Sequence, residues 1–85
     1  MNYRKFNSKF NVTGEYIRNA RIEKHFTRPY VCKQLDLYGI NFHVNELYKI
    51  EHGEKALKDF ELIALCIILD LDYNILKSLI LDANW

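Results

Sequence analysis

Apolar residues recur at helical spacing in five stretches of this chain. In the first, Tyr16, Ile17 and Ala20 share a face. Thr13 is placed to cap that helix and Glu15 falls in its first turn, so the spacing predicts a helix from Gly14 to about His25. In the second, Thr27 caps, Pro29 sits in the first turn where its missing N–H costs nothing, and Val31, Cys32 and Leu35 form the inner stripe up to about Leu37. In the third, over 44–51, Leu47 and Ile50 face inward behind a candidate cap at His43. Phe42 and Leu47 have the spacing of a hydrophobic staple, Glu46 stands at the third helical position of a capping box, and Gly53 is fit to end the helix. The fourth runs from a cap at Asp59 through Phe60 to Leu69 and is apolar nearly all round, which predicts the central, most buried helix. In the fifth, Asp72 caps a helix from Tyr73 to about Leu81 with Ile75, Leu76, Leu79 and Ile80 on one stripe.

The expected fold class is therefore all-α, in one small domain. The second and third segments flank a bend, Tyr38-Gly39-Ile40-Asn41, and this is the layout of a helix-turn-helix. With Leu47 and Ile50 inward, Asn45, Tyr48, Lys49 and His52 turn outward and Val44 lies at their edge. Amide, phenol and ammonium on one face suit base edges and phosphates, and equally suit a solvated helix face. At the start of the second helix, free backbone N–H groups meet the Arg28 side chain, where a phosphate can sit. Arg21 lies close to the inner stripe of the first helix, which requires a partner.

Composition changes this picture in two respects. The net charge of +1 is weak for a nucleic-acid binder, but residues 1–33 carry +6 and residues 34–85 carry −5. Such asymmetry allows a basic side toward phosphate and an acidic side away from it. No run of about 18 apolar residues exists and the N-terminus lacks a signal-type apolar stretch, so the expected location is the cytoplasm, with no membrane partner. Cys32 and Cys66 fall among apolar neighbours and read as small buried hydrophobes. His25, His43 and His52 show no ligand spacing with either cysteine, so no metal is expected. No acid–base pair, activated nucleophile or glycine-rich phosphate loop is visible, so the chain is read as no enzyme, with no cofactor and no small-molecule substrate.

From Gly14 to about Leu79 the chain resembles the phage-repressor (Cro/repressor, or xenobiotic-response-element) helix-turn-helix family. The residues that carry this are Gly14-Glu-Tyr-Ile-Arg-Asn-Ala-Arg21, Phe26-Thr27, Leu47-Tyr-Lys-Ile-Glu51-His-Gly53, and Asp59-Phe-Glu-Leu-Ile-Ala-Leu ahead of Leu69-Asp-Leu-Asp-Tyr-Asn-Ile-Leu76. The resemblance implies a compact five-helix bundle of the repressor type, here with a lengthened turn, Asp36-Leu-Tyr-Gly-Ile-Asn-Phe. It implies a structural ion pair between Arg21 and Glu51. It places base contacts on Val44, Asn45, Tyr48 and Lys49, and phosphate contacts on Thr27, Arg28, His52, Gly53 and Lys55. Two departures weaken binding: His43 replaces the usual Ser or Thr cap, and Glu46 and Glu54 put negative charge near the expected DNA surface.

The expectation is a sequence-specific, repressor-like transcriptional regulator that binds double-stranded DNA, its helix at 44–51 reading the major groove, as a homodimer that uses helix 5. Helix 5 can equally close the monomer core. The alternative is a protein-interaction module on the same fold, antitoxin-like or an anti-regulator. Residues 1–12 are expected to be an N-terminal arm, 13–81 the helix-turn-helix domain and 82–85 a tail.

Overall fold

The structure, a computed structural model, describes residues 8–81. Most of the expected arm and all of the expected tail lie outside the described residues. The fold is all-α, with five helices: α1 Gly14–Glu23, α2 Arg28–Asp36, α3 Val44–Glu51, α4 Asp59–Leu69 and α5 Tyr73–Leu81. No helix among the described residues is long and apolar enough to cross a membrane.

The helix ends follow from local chemistry. Helix α1 stops two residues before the expected His25. There, His25 adopts a left-handed backbone (φ 59°) while its N–H donates to the Ile22 carbonyl and Phe26 N–H donates to that of Arg21. This pair of bonds is a Schellman closure, with histidine where glycine is usual. Thr27 caps α2, its hydroxyl accepting from Tyr30 N–H at 3.2 Å. Gly39 and Gly53, at φ 75° and 73°, close α2 and α3 in the same manner as His25 closes α1. The box at the start of α3 contains a bond from His43 N–H to the Glu46 carboxylate at 3.2 Å.

Helix α4 differs from expectation in its cap. Lys58, not Asp59, is the N-cap, because Glu61 is buried and reaches back three residues to accept from Lys58 N–H at 2.8 Å. Asp59 becomes the first helical residue and accepts from the adjacent Phe60 N–H.

The core is built by α1 to α4. Ile17, Val31, Leu35, Leu47, Ile50, Leu65 and Leu69 are fully buried, each worth about 1.5–3 kcal/mol relative to exposure. Helix α4 is not wrapped on all sides as expected. Its Glu61, Ala64, Leu65 and Leu69 face inward, while Phe60, Ile63 and Ile67 remain more than half exposed. Helix α5 buries no residue fully; on its apolar stripe Ile75 and Ile80 are exposed and Leu76 and Leu79 only half-buried. Its start is held by Asp72 N–H donating to the Tyr16 hydroxyl at 2.8 Å, and by the Asp72 carboxylate capping Asn74 N–H. Of the two cysteines, Cys32 is buried and Cys66 half-buried. Burial pushes both thiols above their ordinary pKa, and nearby Asp36, Glu46 and Glu51 add to the effect at Cys32.

Residues 10 and 11 belong to the body, across the expected boundary at residue 13. Phe10 N–H donates to the Gly53 carbonyl at 2.9 Å. Buried Asn11 is a three-way clip: its amide donates to the carbonyls of Ile50 (3.0 Å) and Lys55 (2.8 Å), and its oxygen accepts from Gly14 N–H (2.7 Å). It ties the entry of α1 to the exit of α3. Asn11→Ala strands those three backbone groups, and the expected loss is about 2 kcal/mol in a denaturant melt.

Candidate nucleic-acid interface

The geometry of α3 begins with what holds it from behind. Leu47 and Ile50 sink into the core, and Glu51 is buried beside them. Glu51 meets Arg21 in two bonds, Nε to Oε2 at 2.7 Å and Nη2 to Oε1 at 3.1 Å, while Arg21 Nη1 donates to the Phe26 carbonyl at 2.9 Å. A bidentate guanidinium–carboxylate contact fixes orientation as well as position. It locks the last turn of α3 against α1 and the Phe26 corner.

Arg28 also bonds Glu51, Nε to Oε1 at 3.0 Å. One buried carboxylate thus takes two arginines, and α2 joins the same knot. The Arg28 guanidinium lies 5.1 Å from the Tyr48 ring centroid, and Tyr48 stacks on His52 at 4.0 Å. His52 Nδ1 lies 2.8 Å from the Tyr48 carbonyl oxygen. Arg28, Tyr48 and His52 form a column along the outer side of α3. The residues give no local sign of this column, since Arg28 stands 20 positions before Tyr48.

On the solvent side, Val44, Asn45, Tyr48 and Lys49 are all exposed along α3. Asn45 and Lys49 are exposed and make no hydrogen bond or ion pair among the described residues. The expected phosphate contacts are in varied states. The Thr27 hydroxyl is engaged as the cap of α2 but retains acceptor and donor capacity. Arg28 has its Nε on Glu51 and no bond at either Nη among the described residues. Gly53 is buried with its N–H committed to the Ile50 carbonyl, so its role visible here is in the turn. Lys55 bonds Glu46 at 3.2 Å and lies over the Phe42 ring at 4.8 Å. The His43 backbone N–H, with Lys55 adding to it, holds the Glu46 carboxyl below its usual range. Glu46 therefore spends its charge on Lys55, which offsets both.

No protein-family model, curated protein or solved structure matches the chain.

Proposed function

We propose that this chain is a sequence-specific DNA-binding regulator of transcription, repressor-like, with α2 and α3 as its helix-turn-helix and α3 entering the major groove. The observation that carries this is the division of α3 into two faces. Leu47, Ile50 and Glu51 are fixed in the body, while Val44, Asn45, Tyr48 and Lys49 stand exposed side by side. Asn45 pairs with adenine N6 and N7, Lys49 donates to guanine O6 or N7, and Val44 meets a thymine methyl. Thr27, Arg28 and His52 meet phosphates on either side. Exposed apolar side chains on α5 and on the outer side of α4 supply a homodimer interface, and a dimer reads two half-sites one helical turn apart.

Selection from a random duplex pool, followed by titration of the selected site, tests this reading. Asn45→Ala and Lys49→Ala are each expected to weaken the selected site by about 5- to 150-fold and to relax preference at one base position. Unchanged affinity and preference in both variants would remove α3 as the reading element.

One observation favours a second reading, a protein-interaction module on the same fold. Tyr38, Phe60, Ile63 and Ile67 line an apolar cleft at the surface, with a volume of about 220 Å³. A stoichiometric protein partner, together with no salt-sensitive DNA binding, would favour that module.

A further inference from the structure

Three candidates outside the outer face of α3 stand out: the apolar cleft at Phe60, the buried Cys32 beside Pro29 and Val44, and a charged pocket between the N-terminal segment, α1 and the end of α3. The third carries an inference. Its cavity is about 270 Å³, and the side chains that matter are Lys9, Arg18 and His52, with Glu15 and Glu51 also in its lining.

The three basic groups come from three separate pieces of chain, and the fold places each. The Asn11 clip and the Phe10–Gly53 bond hold the N-terminal segment across the turn after α3. The aliphatic stem of Lys9 lies over Gly53, so close that a β-carbon there would come within 3.0 Å of Lys9 Cδ. Gly53 thus serves both a left-handed turn and the seating of Lys9. Arg18 stands on α1 one turn after Gly14, and His52 is stacked on Tyr48.

The basic side chains of this pocket differ in their pairing from those on α2 and after α3. Lys9 and Arg18 are exposed and join no ion pair or hydrogen bond among the described residues. The carboxylate of Glu51 is already bound by Arg21 and Arg28. By contrast, two of the basic residues expected at phosphates, Arg28 and Lys55, are partly neutralised by Glu51 and Glu46. The pocket is also continuous with the face of α3, because His52 belongs both to it and to the Arg28–Tyr48–His52 column.

We infer that this pocket seats a phosphate of the DNA backbone, gripped by Lys9 and Arg18 with His52 at the edge. The inference rests on the DNA-binding reading and extends the contact surface from α3 onto α1 and residue 9. Since phosphate contacts position the duplex without reading sequence, the pocket sets affinity and register but no base preference.

The test is a titration of wild type and of the Lys9→Gln/Arg18→Gln double variant against the selected duplex and against random duplex, over a series of salt concentrations. Both side chains are exposed, so the variant keeps the fold. Each phosphate contact contributes about 0.9 to the slope of log affinity against log salt, so the slope is expected to fall by about two. Affinity should drop at least tenfold on both duplexes, with the ratio between them unchanged. Glu15→Gln, which removes the exposed carboxylate in the lining, should move affinity in the opposite direction. An unchanged slope in a wild type that does bind DNA overturns the pocket and leaves the α3 reading standing; no binding by wild type overturns both. A parallel titration of inorganic phosphate, followed by the backbone amides of residues 9, 18 and 52, separates the two sources of phosphate. Saturation below 1 mM with an unchanged DNA slope would assign the pocket to a free anion and overturn the DNA assignment.

Discussion

Glu51→Ala is expected to cost about 3–5 kcal/mol of folding stability. The reason is specific to the knot it closes. Removing the carboxylate leaves Arg21, whose side chain is only 10% exposed, with its charge uncompensated inside the protein. Arg28 is the lesser problem, because at 27% exposure its side chain can turn toward water. A chain of this size holds on the order of 4–13 kcal/mol in all, so one such loss takes a large share. In thermal denaturation the midpoint should fall by roughly 15–30 °C. The paired replacement Arg21→Met/Glu51→Leu should lose much less than Glu51→Ala, since it removes the buried charges together and keeps the volume. A Glu51→Ala variant within about 1 kcal/mol of wild type would show that the Arg21–Glu51 contact does not hold α3 in place.

The second large effect has the opposite sign from what helix propensity suggests. Gly14 opens α1, and alanine inside a helix is ordinarily favoured over glycine by about 1 kcal/mol. Here a β-carbon at residue 14 would overlap the backbone carbonyl oxygen of Ile50 and crowd the backbone of Glu51. Neither neighbour is a flexible side chain that can swing away. Relief requires α1 and α3 to part, which pulls on Asn11 and on the Arg21–Glu51 contact as well. Gly14→Ala should therefore destabilise by about 3 kcal/mol in equilibrium urea unfolding. A neutral or stabilising result would mean that α1 and α3 do not approach as closely as described.

These two sites show where a sequence reading succeeds and where it stops. The five helices were legible because their caps and stripes are local: Thr27, Gly39, Gly53 and Asp72 act within a few residues of the helices they bound. The unusual position of Arg21 signalled a partner, and the resemblance supplied Glu51. Gly14 carried no such signal, because its requirement is imposed by a carbonyl 36 positions away. Asn11 likewise looked like part of an arm, since its acceptors lie 39 and 44 residues downstream. The cap of α4 falls one residue before the acidic residue that the sequence favours, because of the two carboxylates, Asp59 and Glu61, the buried one sets the register. Helix α4 is less covered than its composition predicts, and α5, for which a dimer interface and core closure are equally open, buries no residue fully. Their composition records that apolar surface must be covered, not whether this chain or a second copy covers it.

At the candidate interface, the outward set Val44, Asn45, Tyr48 and Lys49 could be read from a helical wheel, and the structure exposes all four. Which cations are free could not be read, because that depends on pairings made across the fold. Arg28 and Lys55 are drawn onto carboxylates, while Lys9 and Arg18 make no such pair among the described residues. This bears on the low net charge of +1. Under the proposed reading, affinity depends on charges placed within reach of phosphate rather than on the net total, and residues 1–33 carry +6 against −5 in the remainder.

The central claim, that α3 and its surroundings form a DNA-binding surface, is tested most directly by fluorescence anisotropy of a random-sequence duplex titrated at two salt concentrations, with the protein's mass measured in the same buffer. The account predicts binding by a dimer that weakens steeply as salt rises. No binding at low salt would contradict it, and the exposed face of α3 would then be solvated surface on a module whose partner is a protein.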